Sequence, residues 1–247
     1  MALVGKGSDG SGTRYAEIGA KGECDGGRPD PVAYAKSLGY SDQQLGSVPQ
    51  DAVMSLGCGN PVAYAAIEEG KIVLDLGSGG GLDAFLSAQR VGPSGRVIGI
   101  DATSEMVKRA TDMAKKAGYR NVEFRQAPIE RLPLDNGSID LAISNCVMNH
   151  CSDKVRAFKE VHRVLKPAGR IYISDLVTAG TFCEEALRDE VWGEWLSAAL
   201  PKDPYLRAIV EAGFSEVTVE TETRFAMAER DDRLSGRIVS IQLTARK

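Results

Sequence analysis

Ile72-Val73-Leu74-Asp75-Leu76-Gly77-Ser78-Gly79-Gly80-Gly81 is an apolar run that empties into glycine. A short run of this kind, rich in β-branched residues, reads as a buried strand, and the glycines after it let backbone turn tightly and approach a ligand. The next apolar run, Val97-Ile98-Gly99-Ile100, ends in Asp101. A carboxylate at the end of the neighbouring strand is placed to accept both hydroxyls of a ribose. Together the two runs suit a nucleoside cofactor.

The details of the turn narrow the cofactor. A dinucleotide site needs G-x-G-x-x-G at a helix entrance, whose free N–H groups bind pyrophosphate. Here Asp75 precedes the glycines, and a carboxylate at that point repels pyrophosphate and suits a cation, such as the ammonium and sulfonium of S-adenosylmethionine. The pattern E/D-x-G-x-G resembles motif I of the class I methyltransferases, with Asp75, Gly77, Ser78 and Gly79 in its positions. A tight turn before a helix would use the glycines without any ligand; Asp101 argues against that plainer reading.

The chain has 247 residues and a net charge of −4. That length suits one well-packed α/β domain with a modest appendage. Without a dense Lys/Arg block the charge gives no footprint for a nucleic-acid backbone. No apolar run approaches the roughly 20 residues that span a bilayer, and the Gly/Ser-rich start lacks a signal-peptide core. A soluble, cytoplasmic protein is expected, as monomer or dimer. Cys24, Cys58, Cys146, Cys151 and Cys183 are an odd, scattered set, expected to be free thiols and, taken singly, small buried hydrophobes.

Residues 1–31 read as a mobile arm, with Tyr15 and Ile18 as anchors and Tyr15 able to cap a cofactor pocket on closure. From 32 to 178 strands alternate with helices: strands over 71–76, 96–100, 122–126, 139–144 and 170–174, helices over 82–91, 104–117 and 153–165. Short helices precede them, with Pro49 as a start and Gly57-Cys58-Gly59-Asn60-Pro61 as a break. Alternation of this kind predicts a mostly parallel, doubly wound Rossmann-like sheet that binds ligands at the C-terminal ends of its strands. Residues 179–247 read as a small α+β cap over the acceptor site: helices over 182–199 and 205–212, strands over 217–221 and 239–245, and a charged loop over 227–235.

Around the expected cleft, Ala102 and Met106 follow Asp101, and Ile129 and Glu130 follow the third strand as adenine-pocket candidates. The strand Asp140–Ser144 ends in Asn145 and Cys146, where a methyl acceptor must sit. Cys58, on its turn before the first strand, is placed to reach the same spot. Two thiols converging there invite a thiophilic substrate.

Leu56-Gly57-Cys58-Gly59-Asn60-Pro61, Val73–Gly79, Ser144-Asn145-Cys146-Val147-Met148-Asn149 and Arg163-Val164-Leu165-Lys166-Pro167 together resemble the arsenite S-adenosylmethionine methyltransferases, from about Tyr15 to the closing Ser240–Lys247. The resemblance implies that cysteine thiolates hold trivalent arsenic, whose lone pair attacks the sulfonium methyl in line and without a general base. Cys58, Cys146 and Asn145 are the residues it places at the reaction. Soft thiolates suit a soft centre. The family's third cysteine falls in a stretch resembling Trp-x-x-Cys-x-x-Gly-Ala-Leu, which here reads Trp192-Gly193-Glu194-Trp195-Leu196-Ser197-Ala198-Ala199-Leu200. Trp195 occupies the cysteine position and cannot coordinate arsenic. Cys151, Cys183, Cys24 or an exogenous thiol such as glutathione is then the candidate third donor. Two other readings stay open. One is a small-molecule O-, N-, S- or C-methyltransferase with Trp192, Trp195 and Tyr205 lining an aromatic pocket and His150 or His162 as base. The other is a non-catalytic protein that binds S-adenosylmethionine or a metalloid.

Overall fold

The computed structural model describes residues 17, 30–54, 56–188, 196, 198–226 and 228–247. The opening run becomes strand β1, Ile72–Leu76, buried from Val73 onward. Val73 packs in one apolar layer and Leu74 in the other, as do Val97 and Ile98 of β2 (Arg96–Asp101) and Leu141 and Ala142 of β4 (Ile139–Asn145). The period of two puts alternate side chains on opposite faces, and both faces are covered, so these strands read as unbroken apolar runs.

With β3 (Val122–Gln126), β5 (Leu165–Thr178), β6 (Ser215–Arg224) and β7 (Ile238–Arg246), they form one seven-stranded sheet in the order β3-β2-β1-β4-β5-β7-β6. β1 pairs in parallel with β2 and β4, and β4 in parallel with β5. β7 alone runs against its two neighbours. The order of connection reverses between β1 and β4, and that switch point opens the crevice used by ligands in such sheets. Register then fixes what surrounds the crevice: Leu76 lies beside Ser144, and Asn145 beside Ser174.

Before β1 come α1 (Pro31–Ser37), capped by Asp30, α2 (Asp42–Gly46), with a Ser41/Gln44 capping box, and α3 (Pro61–Tyr64), capped by Asn60. Pro49 starts a single 3-10 turn, Gln50–Ala52. α4 (Leu82–Val91) follows the glycine turn, α5 (Ser104–Lys116) follows β2, and α6 (Lys154–Val164) is capped by Asp153. Beyond β5 lie α7 (Glu184–Leu187) and α8 (Lys202–Glu211). The N-terminal helices pack with Phe85 and Val91 of α4 on one face; Phe158 and Val161 of α6 and Tyr205 and Ile209 of α8 fill the other.

The C-terminal strands expected within a cap belong instead to the main sheet. β7 pairs along β5 from Arg170–Arg246 to Thr178–Ile238, and β6 closes the edge. The sequence suggested a separate unit because β6 is exposed along nearly its whole length and reads as polar alternation. What lies over the end of the sheet is a smaller cluster of Leu176, Ala186, Leu196, Phe225, Ala228, Leu234 and Ile238, packed with Cys58. The expected loop over 227–235 holds a 3-10 turn, Ala228–Arg230, and buries Leu234. Of the helix expected over 182–199, α7 is described; Trp192 and Trp195 lie outside the described residues, as do Tyr15, Ile18 and Cys24.

If β7 is part of one cooperative unit, Leu243→Ala, at a fully buried site, lowers unfolding stability by about 2–5 kcal/mol. Urea denaturation followed by circular dichroism should show one shifted transition and no second phase.

Candidate active site

The glycine turn works through close approach. Gly77 has φ of 65°, and a Cβ there would lie 2.4 Å from Cγ2 of Val147. Gly79 N–H donates to Oδ2 of Asp101 at 2.9 Å, and Thr103 N–H donates to Oδ1 at 2.8 Å. Two backbone donors thus fix the Asp101 carboxylate at the end of β2. Asp75 is buried at the end of β1, and its Oδ2 has no partner. An orphaned buried carboxylate oxygen is costly unless a ligand donor meets it.

These groups share one cleft of about 270 Å³. Asp75, Gly77, Ser78, Gly79, Asp101, Ala102, Met106, Ile129, Glu130, Asn145 and Cys146 all line it, so the structure brings together every expected cofactor residue that lies among the described residues. The lining also includes Asp83 and, among the described residues, no Lys or Arg. Burial raises the pKa of Asp75, Asp83 and Asp101, with the charges of Asp83 and Asp101 adding to the effect on Asp75. A cleft walled by carboxylates without a countercharge favours a cation and opposes a pyrophosphate.

Asn145, besides lining the cleft, is bonded on both sides of its amide. Its Oδ1 accepts from Cys58 N–H at 3.0 Å and from Gly59 N–H at 3.3 Å. Its Nδ2 donates to Gly59 O at 2.9 Å, to the Tyr40 hydroxyl at 3.1 Å and to Oδ2 of Asp83 at 3.1 Å. Tyr40 in turn donates to Oδ1 of Asp83 at 2.6 Å. Gly57 permits this clamp, because a Cβ there would stand 2.6 Å from Nδ2 of Asn145.

The clamp holds Cys58 near Cys146. Cys146 sits just past β4 with φ of 62°, a left-handed conformation that bends the chain off the strand line, and its N–H donates to Ser174 O at 2.7 Å. Ligand atoms of Cys58, Cys146 and Asp175 all lie within 4.8 Å of one another. Burial pushes the Cys58 thiol up, and the neighbouring Cys146 pushes it further. Asp175, on β5, is fully buried and held by three donors. Leu176 N–H at 2.8 Å and Asn149 Nδ2 at 3.1 Å reach Oδ1, and the Tyr205 hydroxyl reaches Oδ2 at 2.9 Å. Its pKa is pushed up to about 6, mainly by burial.

Cys151 lines the cleft near Glu130 and Lys154, and its burial raises its pKa; it is not part of the Cys58 and Cys146 group. Cys183 packs against the apolar cluster that holds Cys58. Tyr205 does not line an open aromatic pocket: it is fully buried, edge-on to Phe158, with its hydroxyl committed to Asp175. His150 lines the cleft. His162 packs edge-on against Phe214, and burial lowers its pKa.

Sequence reasoning missed Asp175, Asp83, Tyr40 and Asn149. Asp175 carried a usable signal, since it ends an apolar strand run as Asp101 does. Tyr40 reaches the site from the loop between α1 and α2 and Asp83 from α4, and neither leaves a local pattern.

Fold and site therefore define an S-adenosylmethionine type of nucleoside cleft joined to a thiol pair, within a Rossmann-like sheet. A family model described as a methyltransferase domain matches residues 67–213. The arsenite methyltransferase of Halobacterium salinarum is 38% identical over 99% of this chain and 64% of its own length. The human arsenite methyltransferase is 34% identical over 76% of this chain and 50% of its own. The crystal structure of an arsenic (III) S-adenosylmethionine methyltransferase from Chlamydomonas reinhardtii superposes with a TM-score of 0.66 at 32% identity, covering 88% of this chain and 73% of that one. The chain belongs to the methyltransferase-domain family and, within it, to the arsenite S-adenosylmethionine methyltransferases. It spans less than two thirds of the length of these two curated relatives.

Gly77→Ala should weaken S-adenosylmethionine binding by on the order of tenfold or more, because Val147 must move into the cleft; calorimetric titration reads it directly. Asp83 offers a pH test. Its pKa is pushed up to about 6 in the fold, against roughly 3.9 in an unfolded chain. Its contribution to stability is therefore full below about pH 4 and falls as pH rises through about 6. In the ligand-free protein, Asp83→Asn should lose part of that decline, by up to about 3 kcal/mol between pH 4 and 7, measured by urea midpoints.

Proposed function

We propose that this protein is an enzyme that moves a methyl group from S-adenosylmethionine to trivalent arsenic held by Cys58 and Cys146. The observation that carries the reading is the approach of these two thiols, within 4.8 Å, beside a cleft walled by carboxylates. The residues fit the cofactor on their own chemistry, since the orphaned Asp75 oxygen needs a donor and a cleft whose described lining holds carboxylates but no Lys or Arg suits a cation. When bound, S-adenosylmethionine supplies a methyl group activated by a sulfonium. Asp101 would accept the ribose hydroxyls and Asp75 the ammonium of the methionine part. Met106 and Ile129 offer apolar walls for the adenine, with Glu130 beside them.

Arsenous acid is the substrate. At each cysteine an S–H and an As–OH bond break, an As–S bond forms and water leaves, so each thiol proton departs with its hydroxyl. The high pKa of Cys58 suits this exchange, because the thiol stays protonated until arsenic arrives. Arsenic keeps a lone pair and carries no proton to remove, so His150 has no base to supply. Asn145 acts as a positioning residue that holds the Cys58 turn. Packing of the buried Cys58 and half-buried Cys146 against Leu176, Ala186 and Phe225 limits water at the reacting atoms. Transfer leaves arsenic pentavalent, and a thiol reductant such as glutathione would return it to the trivalent state. The four free cysteines described here go with a reducing, cytoplasmic setting. Among the described residues no helix is long and apolar enough to cross a membrane.

The test is release of S-adenosylhomocysteine from purified protein given S-adenosylmethionine, excess glutathione and either arsenite or monomethylarsonous acid, with arsenic species separated by chromatography. Cys58→Ser and Cys146→Ser should each lower kcat/KM for the arsenical by about 100-fold or more, or ~2.7 kcal/mol, while S-adenosylmethionine still binds. Unchanged turnover in both variants would overturn the thiol site.

A further inference from the structure

Arsenous acid has three valences, and among the described residues this site brings two thiols to it, so with no further thiol bound one hydroxyl remains on arsenic after both As–S bonds form. That hydroxyl, buried between Cys58 and Cys146, needs a hydrogen-bond partner. The sequence stretch that resembles the family's third-cysteine segment has Trp195 in the cysteine position, which offers no ligand atom. Among the described residues, the group closing on the two sulfurs is the carboxylate of Asp175, with all three ligand atoms within 4.8 Å of one another.

Asp175 is built to be held still. It is fully buried within β5, three residues before the strand ends, two donors fix Oδ1, and the Tyr205 hydroxyl fixes Oδ2. A carboxylate offers about four lone-pair directions. Three are taken by these donors, which leaves one on Oδ2. Asn149 also donates to the carbonyl of Leu176, so the same amide locks both the side chain and the backbone that follows it. Tyr205 comes from α8 and Asn149 from the 3-10 turn Met148–His150, both packed on the face behind the sheet. Neither lines the cleft.

We propose that Asp175 is a specificity-determining residue of the acceptor site, its carboxylate accepting a hydrogen bond from the hydroxyl that a two-thiol site leaves on arsenic. The inference rests on the thiol-bound acceptor proposed above. The chemistry balances without a further reactant. Two S–H and two As–OH bonds break, two As–S bonds and two waters form, and the third As–OH survives with its proton directed at Oδ2. Asp175 thereby favours arsenicals that still carry a hydroxyl after both thiols have bound. An arsenical whose third valence is carbon makes the same two As–S bonds and gains nothing from the carboxylate. Tyr205 and Asn149 are positioning residues that act through Asp175.

The experiment compares two probes on the full chain with S-adenosylmethionine present. Arsenite keeps a hydroxyl after two exchanges, and phenylarsine oxide presents a carbon there. Asp175→Asn should weaken arsenite binding by on the order of tenfold or more, as expected for one charge-assisted contact, and leave phenylarsine oxide within about twofold. Retained S-adenosylmethionine binding confirms that the variant is folded. Tyr205→Phe removes the donor on Oδ2 and keeps the ring, and should weaken arsenite severalfold with the same selectivity. That variant decides the matter should Asp175→Asn fail to fold. Equal loss of both probes would make Asp175 a structural residue and overturn the proposal, as would no loss of either. Failure of the thiol reading looks different: both probes would then bind Cys58→Ser and Cys146→Ser as tightly as the parent.

Discussion

The side-chain amide of Asn145 bonds to parts of the chain far apart in sequence, and the site is organised around it. Cys58 lies 87 positions away in sequence, on a turn with no regular structure, yet its N–H and that of Gly59 both end on Oδ1 of Asn145. The NH2 of the same amide reaches the Tyr40 hydroxyl and Asp83, so the loop after α1, α4, β4 and the cysteine turn meet at one group. Each such bond is worth only about 1 kcal/mol net, but a buried partner left unpaired costs about 1–3 kcal/mol. A leucine at 145 would strand the Cys58 and Gly59 N–H donors and leave the Gly59 carbonyl without this partner; an aspartate would face Asp83 with like charge. The left-handed backbone at Cys146 needs surroundings that determine it this fully, because such a conformation persists only where neighbouring contacts hold it.

Two environments meet at this point. On the side of β1 and β2 the walls are carboxylates: Asp75, Asp83 and Asp101, all buried enough that desolvation raises their pKa. On the side of β5 and β7 the walls are Leu176, Ala186, Phe225 and Ile238, with the sulfurs among them. A ligand with a charged head and a soft reactive end matches that division, and the strand register produces it. Asp75 and Cys146 flank the switch point because β1 and β4 are neighbours whose connections leave in opposite directions.

The sheet was legible in the sequence because buried parallel strands are unbroken apolar runs with glycine or acid at their ends. β1, β2 and β4 fell within a residue or so of their predicted limits for that reason. β5 proved longer than the run that announced it, since Leu165–Gly169 pairs only through a bulge and carries a proline. The last two strands were found as strands but given to the wrong layer. Strand pairing across β5 and β7 is a long-range property that local polarity does not record, and β6 is an exposed edge. In the site, Asp75, Asp101, Cys58 and Cys146 were readable because each ends a strand or sits on a glycine turn. Asp175 obeys the same rule, and the attention given to cysteines hid it. Tyr40, Asp83, Asn149 and Tyr205 come from helices and turns whose contribution exists only after packing.

The direction in which charge moves ties these observations to the proposed reaction. A methyl group leaving a sulfonium carries positive charge off sulfur and onto the acceptor. Carboxylates near the sulfonium alone would stabilise the starting state more than the transition state, and binding gained in that way does not speed the chemical step. A carboxylate on the far side of the acceptor has the opposite effect, because its attraction grows as charge arrives. In the proposed complex Asp75 and Asp101 stand on the cofactor side, where they would favour binding. Asp175 stands beside Cys58 and Cys146, in an apolar surrounding where a fixed charge acts through a low dielectric. In a family whose third acceptor ligand is expected to be a thiolate, a carboxylate held by Asn149, Tyr205 and the Leu176 N–H keeps a negative group at the arriving charge, though Trp195 stands at the cysteine position.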